Sequence, residues 1–354
     1  MHTNTILDTL KGPVRIIYEP TIQCNLRCPM CDRTHKAEYE THKKNQLPVE
    51  ISLKFLNDIA AMEVTNILLI GGGEPLMHPD ILTFIECIKR NGIHLHLWTN
   101  GTLITEKNAE FLASHCDIIT VSLDSPHEEI NDQLRGMQGA TIRSINGLKL
   151  LRKANPNAYL RIHSVLSAQN IPHLDDFLPL IDEIGLNEVG GAIINPFSFV
   201  PTDFLISKES KQDFDDSIHE FCETLRSRNV ALAGCYTSIS KTIINNIKQS
   251  LASRENMDFH ITCLGLWSQA TVRPNGDVSV CCFSYKPILG NLHEMSFPDI
   301  WHSEKAVALR EFVFSGKYMD DPCIGCDLGD PVFTRLLANG EDMTHFNNMI
   351  NLSR

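Results

Sequence analysis

Basic residues are scarce: the 354-residue chain carries 31 Lys and Arg against 43 Asp and Glu, a formal net charge of −12. A chain with no basic surplus has little with which to hold phosphates, which argues against nucleic acid as a partner. Long apolar runs are also missing. None reaches the roughly 18 residues needed to span a bilayer, so no membrane partner is expected. The segment Met1 to Lys11 lacks the charged-then-apolar pattern of a secretory signal. No internal repeat or low-complexity tract is visible. These absences place the chain in the cytoplasm, where disulfides are rare. Against that background the chain has 12 cysteines. In a reducing compartment, metal binding is the leading explanation for so many.

Hydrophobic residues make up 43% of the chain, enough for a full core. The pattern from Val14 onward alternates strands with helices. Strands are expected over 14–19, 64–70, 93–99, 117–123, 159–166 and 188–194. Helices are expected over 79–91, 105–114, 141–153, 174–184 and 213–228, with Ser52 capping another that runs to Met62. Repeated strand–helix units imply a parallel sheet with helices outside. Six units fall short of the eight in a closed barrel, so the pattern allows a partial barrel or an open doubly wound sheet. In either, ligands bind at the carboxyl ends of the strands. The polar stretch Asp32 to Val49 reads as a loop. After about residue 255 the pattern changes. Pro274-Asn275-Gly276 marks a hairpin between short strands, and 299–314 reads as helix.

The first chemical cluster is Cys24-x3-Cys28-x2-Cys31, set at the end of the first strand. Three thiolates on one loop can hold three corners of a [4Fe–4S] cluster and leave one iron open. Structural zinc would want a fourth protein ligand, and His35 is the nearest candidate in sequence. This motif resembles that of the radical S-adenosylmethionine (SAM) enzymes. Further segments resemble the same family: Gly71-Gly72-Gly73-Glu74-Pro75 after the second strand, Thr99-Asn100-Gly101 after the third, Ser122-Leu123-Asp124 after the fourth, and Leu134-Arg135-Gly136. The resemblance implies that the open iron takes the amino and carboxylate groups of SAM, whose reductive cleavage yields methionine and a 5′-deoxyadenosyl radical. It implies that Gly72, Gly73, Glu74 and Pro75 meet the methionyl end, with Glu74 facing the ammonium. Thr99, Asn100, Ser122 and Asp124 would meet the ribose, and Arg135 the SAM carboxylate. Met30, where the family commonly has an aromatic residue, would pack on adenine through its thioether, with Val165 and Leu166 as further wall.

The second cluster gathers Cys263, Cys281, Cys323 and Cys326, with Cys282 the rival of Cys281 for the hairpin position. The set resembles the SPASM/twitch extension of radical SAM enzymes. Because no cysteine follows Cys326, the single-cluster twitch form fits, with those four residues holding an auxiliary [4Fe–4S] cluster. A zinc knuckle is the alternative for this set. The expected architecture is therefore α/β: a partial (βα)6 TIM-like barrel over 1–235, a linker over 236–260, and a small α+β SPASM/twitch domain over 261–335. A C-terminal tail follows over 336–354.

The resemblance implies an enzyme that draws electrons from a donor such as flavodoxin or ferredoxin. The cysteine spacing resembles that of the aminocyclitol dehydrogenases of aminoglycoside biosynthesis. That implies oxidation of a small polar substrate, a sugar or cyclitol, with the auxiliary cluster accepting an electron. Modification of a peptide or protein is the alternative. The 23 residues before Cys24 leave no room for a leader-binding domain, which favours the small substrate. Epimerization is a third possibility, with Cys235 returning a hydrogen atom. Candidates for a base are His163, Glu188 and Tyr39. Cys87, Cys116 and Cys222 read as apolar filler.

Overall fold

The computed structural model describes residues 11–35, 46–194, 200–207, 210–234, 266, 269–280 and 287–314. Seven strands form a continuous parallel array: β1 (Arg15–Tyr18), β2 (Asn66–Leu69), β3 (His94–Thr99), β4 (Ile118–Ser122), β5 (Leu160–Leu166), β6 (Glu188–Ile193) and β7 (Ala231–Gly234). Three more extend it beyond β1. β8 (Gln269–Val272) pairs parallel with β1, and β9 (Asp277–Ser279) and β10 (Ile288–Asn291) follow antiparallel. The sheet order is β10-β9-β8-β1-β2-β3-β4-β5-β6-β7, so the C-terminal hairpin continues the barrel sheet. Among the described residues the array is an open arc, with edges at β7 and β10.

The helices are α1 (Asp32–His35), α2 (Val49–Ala61), α3 (Ile81–Arg90), α4 (Glu106–His115), α5 (Glu128–Arg135), α6 (Ala140–Ala154), α7 (Leu178–Ile184), α8 (Lys211–Ser227), α9 (Phe297–Trp301) and α10 (Glu304–Phe314). None among the described residues is long and apolar enough to cross a membrane.

Alternation along β3 explains the layering. Leu95, Leu97 and Thr99 are buried, whereas His94, His96 and Trp98 on the other face are only partly so. The buried face joins one large core with Phe55, Phe84, Leu112 and Leu148 from the helices. Each such side chain contributes about 1.5–3 kcal/mol when fully buried. Tyr18 stacks edge-on with Phe55 at 5.4 Å, and Phe55 with Phe297 of α9 at the same separation. The C-terminal segment thus shares the barrel's core.

Several expectations from sequence are corrected. Ser52 does not cap α2, which begins at Val49. Ser52 is buried instead, and its hydroxyl accepts from the Tyr18 hydroxyl at 2.9 Å. A seventh barrel strand, β7, has the sequence Ala-Leu-Ala-Gly, in which only Leu232 is a large apolar residue, so it shows no strand pattern. Helix α5 escaped notice because its apolar face is only Ile130 and Leu134, packed on one small cluster. The helix expected over 299–314 is two helices, α9 and α10. The segment expected as one helix to Ile184 starts as a 3-10 turn, Ile171–Phe177, before α7. The linker expected over 236–260 lies outside the described residues.

Candidate active site

The residues singled out for chemistry come together at the carboxyl ends of β1 to β5. Cys24, Cys28 and Cys31 follow β1 as free, partly exposed thiols. Their loop is wound on itself: the Cys31 amide donates to the Cys28 carbonyl at 3.0 Å, and the Thr34 hydroxyl to the same carbonyl at 3.1 Å. The Arg33 guanidinium donates to the Leu26 carbonyl at 2.6 Å.

Two glycines pin this loop from outside. A Cβ on Gly73 would stand 2.1 Å from the Gln23 carbonyl oxygen, and one on Gly136 2.1 Å from that of Arg27. Gly136 also closes α5 with φ of 62°, in the left-handed region. The chain therefore passes between the ends of β2 and α5 with no room for side chains. Asn25, inside the cysteine motif, adds a third tie that sequence reading missed. Its amide donates to the Thr102 hydroxyl at 2.8 Å and its carbonyl accepts from Asn100 at 2.9 Å. The only available signal was its place between two cysteines.

Glu74 is buried. Its carboxylate accepts from the Leu76 amide at 3.1 Å, the Thr99 hydroxyl at 2.6 Å and the Asn100 amide at 2.7 Å. Of roughly four acceptor positions on a carboxylate, three are filled. These bonds tie the glycine turn after β2 to the end of β3 and leave one acceptor position of Glu74 over. Thr99 and Asn100 are likewise committed within the protein, since Asn100 Oδ1 accepts both from the Thr102 amide and from its hydroxyl. Pro75 is buried at the start of a short 3-10 turn. Gly72 stays partly exposed, with the Glu19 carboxylate 3.2 Å from the point its Cβ would take.

Asp124 and Arg135 form an ion pair of 2.6 Å. The same Asp124 oxygen accepts from the Val165 amide at 2.8 Å. Burial opposes the Arg135 charge, but Asp124 and Cys28 beside it keep the guanidinium protonated. Asp124 Oδ2 and Arg135 Nε are left buried with no hydrogen-bond partner. Such atoms cost about 1–3 kcal/mol each unless something meets them. Beside them lies a small apolar cluster, Leu134, Ile194, Val200 and Phe204, with Met30 and Val165 packed at its border. Unmet polar atoms against an apolar wall fit a ligand with a charged end and an aromatic base, as SAM has. Leu166 lies fully buried in the main core, as alternation along β5 requires. The thiols fit a metal cluster. Burial pushes the Cys28 thiol up to about 11 against the pull of Arg135.

Below the rim the barrel face is polar. Trp98 donates to the Ser122 hydroxyl at 3.1 Å, and His96 shares a 2.7 Å hydrogen bond with Thr120. His163 meets the Trp98 ring edge-on at 4.7 Å, and Gly190 makes room for it, since a Cβ there would lie 2.9 Å from the imidazole. Glu188, considered as a base, is instead engaged by Arg161 at 2.6 Å and by the Tyr159 hydroxyl at 3.1 Å. His163 shares the face of Trp98 and is only partly buried. Burial, then Arg135 and Arg161, lower its pKa to about 4. A lowered histidine contributes stability above its unfolded value near 6.5 that is lost as pH falls toward the folded value. Acid unfolding of His163→Phe should therefore be flatter than wild type between those limits, by up to roughly 3 kcal/mol. Chemical denaturation at pH 7 and pH 4.5 checks this, and parallel losses would remove the assignment.

Glu19, at the end of β1, faces Arg273 after β8 at 3.4 Å, and its amide donates to the Val272 carbonyl at 2.9 Å. This contact joins the hairpin to the rim. Cys87, Cys116 and Cys222 are buried, as apolar filler would be. Tyr39, Cys235, Cys263, Cys281, Cys282, Cys323 and Cys326 lie outside the described residues.

The family model for the radical SAM superfamily matches residues 18–181, and that for the SPASM iron–sulfur cluster-binding domain matches 263–327. The chain is 28% identical to the AdoMet-dependent heme synthase of Methanosarcina barkeri, over 82% of this chain and 83% of that one. It is 22% identical to the PqqA peptide cyclase of Gluconobacter oxydans, over 89% and 83%. Its fold matches Streptococcus suis SuiB bound to precursor peptide SuiA with a TM-score of 0.68 at 19% identity, over 91% of this chain and 71% of that one.

Proposed function

Because the chain belongs to the radical SAM superfamily and carries a C-terminal SPASM domain, we propose that it carries out hydrogen-atom abstraction on a residue of a peptide substrate. SAM and [4Fe–4S] clusters, an auxiliary one included, are its cofactors. When bound, they supply one-electron reductive cleavage of SAM and hydrogen-atom abstraction. Cys24, Cys28 and Cys31 hold the first cluster. Cys263, Cys281, Cys323 and Cys326 hold the auxiliary one, and a donor such as flavodoxin or ferredoxin supplies electrons. Arg135 and Asp124, which keep unpartnered buried atoms, would hold the polar end of SAM, and Met30 and Val165 would line its adenine. Gly72 offers backbone at the methionyl end. Trp98 and His163 receive the substrate group below the rim, with His163 a neutral hydrogen-bonding partner.

The observation that supports a peptide is the open arc of strands among the described residues. An extended chain can cross such a rim and lower one side chain into the barrel. The peptide cyclase relative, matched over most of both chains, points the same way. It turns the reading away from the sugar or cyclitol expected from cysteine spacing. A second reading, a tetrapyrrole substrate, is favoured by the heme synthase relative. Transfer of deuterium into 5′-deoxyadenosine separates them. Cell extract grown on deuterated medium is divided into peptide and small-molecule fractions and presented to the reduced holoenzyme with SAM. Label should come from the peptide fraction and disappear after protease treatment. Label arising from the small-molecule fraction alone would overturn the peptide reading.

A further inference from the structure

We propose a separate surface metal site, for one zinc-like divalent ion, built from His127, His173 and Asp176. His127 precedes α5, whereas His173 and Asp176 lie on the 3-10 turn after β5. Two imidazoles from different segments converge on one carboxylate oxygen. Asp176 Oδ2 stands 2.8 Å from His127 Nε2 and 3.3 Å from His173 Nδ1. All three donor atoms fall within 4.8 Å of one another. Ligands around tetrahedral zinc, at about 2.0–2.2 Å from the ion, are separated by about 3.3–3.5 Å. Small side-chain rotations therefore suffice to admit an ion. Two imidazoles and one carboxylate suit zinc and its neighbours, whereas calcium and magnesium favour all-oxygen sets. The three side chains are exposed, which leaves a coordination position for water.

Two features weigh on the ion in opposite directions. The N-terminal end of α5 carries partial positive charge, which disfavours a cation by roughly 0.3–1 kcal/mol. Glu128 and Glu129 in its first turn offset this. Without an ion, hydrogen bonds from the two histidines hold the Asp176 carboxyl below its usual value.

The position gives the site a consequence. Asn170, just before the 3-10 turn, donates to the carbonyls of Asp124 at 2.8 Å and Val165 at 2.9 Å. At its far end α5 presents the Arg135 carbonyl and Gly136 to the cysteine loop. An ion bridging His127 to the 3-10 turn would pin together the two segments that shape the SAM site, without touching it.

The test uses the anaerobically reconstituted holoprotein and zinc chloride. After incubation with about a twofold excess and removal of unbound metal, zinc and iron are counted. Wild type should retain about one zinc per chain more than the double variant His127→Gln/His173→Gln at equal iron. Asp176→Asn should lose that zinc too. Zinc-edge X-ray absorption should show nitrogen and oxygen neighbours. Equal zinc in wild type and the double variant, or sulfur neighbours on the retained zinc, would overturn the site. Iron content and the zinc-free melting temperature show that the variants are folded.

Discussion

Cys28→Ala protein, reconstituted anaerobically, is expected to carry about half the iron of wild type and to form no 5′-deoxyadenosine above the enzyme-free level. The reasons lie in geometry and in charge. Cys28 is the middle thiol of the loop, and its carbonyl also receives the Cys31 amide and the Thr34 hydroxyl. Its sulfur lies 3.5 Å from the Arg135 carbonyl, beside the guanidinium that favours its thiolate. Removing it leaves two thiols for a cluster that needs three protein ligands and an open iron. Cys323→Ala should behave differently. It should lose a comparable share of iron and the product, yet keep cleavage of SAM uncoupled from substrate. Iron analysis with chromatographic measurement of 5′-deoxyadenosine distinguishes the two. Cleavage surviving in Cys28→Ala would refute the assignment of the first cluster.

A single methyl group added at Gly136 is expected to be almost as damaging. Gly136→Ala must place a Cβ 2.1 Å from the Arg27 carbonyl oxygen and hold a left-handed φ of 62°. Backbone must move, because the obstructing atom is not the end of a flexible side chain. The left-handed conformation alone costs about 1 kcal/mol, and the overlap should bring the total to about 2–4 kcal/mol. Gly139 is the internal control. It too has a left-handed φ, 77°, but an added Cβ there meets nothing within 4 Å. Gly139→Ala should therefore show only the conformational cost, about 1 kcal/mol. Denaturant titration of both variants, with iron content after reconstitution, makes the comparison. If both variants lost the same stability and the same iron, the wedge between α5 and the cysteine loop would have no role.

Much of the barrel was readable from the chain. Strand–helix alternation located β1 to β6 because each has a buried face that shows as apolar residues. It overlooked β7, whose Ala-Leu-Ala-Gly carries a single large apolar side chain, and α5, whose polar surface hides its few buried positions. The boundary of α2 was misplaced for a related reason. Ser52 has the chemistry of a helix cap, and only the approach of Tyr18 from 34 residues away reveals its buried hydrogen bond.

Of the site, ligand spacing could be read directly from the amino acids. Cluster ligation needs particular atoms close together on one short loop, and eight consecutive residues contain that information. The chain by itself thus determined the three-thiol motif, the family resemblance and the place of the chemistry after each strand. The tertiary structure decided what each polar group is free to do. Glu74 is occupied by donors from Thr99 and Asn100, Glu188 by Arg161, and Leu166 by the core, while Asp124 and Arg135 retain unmet atoms facing an apolar wall. Hydrogen-bond capacity is consumed by neighbours tens of residues away in sequence, and strand alternation assigns adjacent residues to opposite faces, so those roles exist only once the fold has brought the partners together.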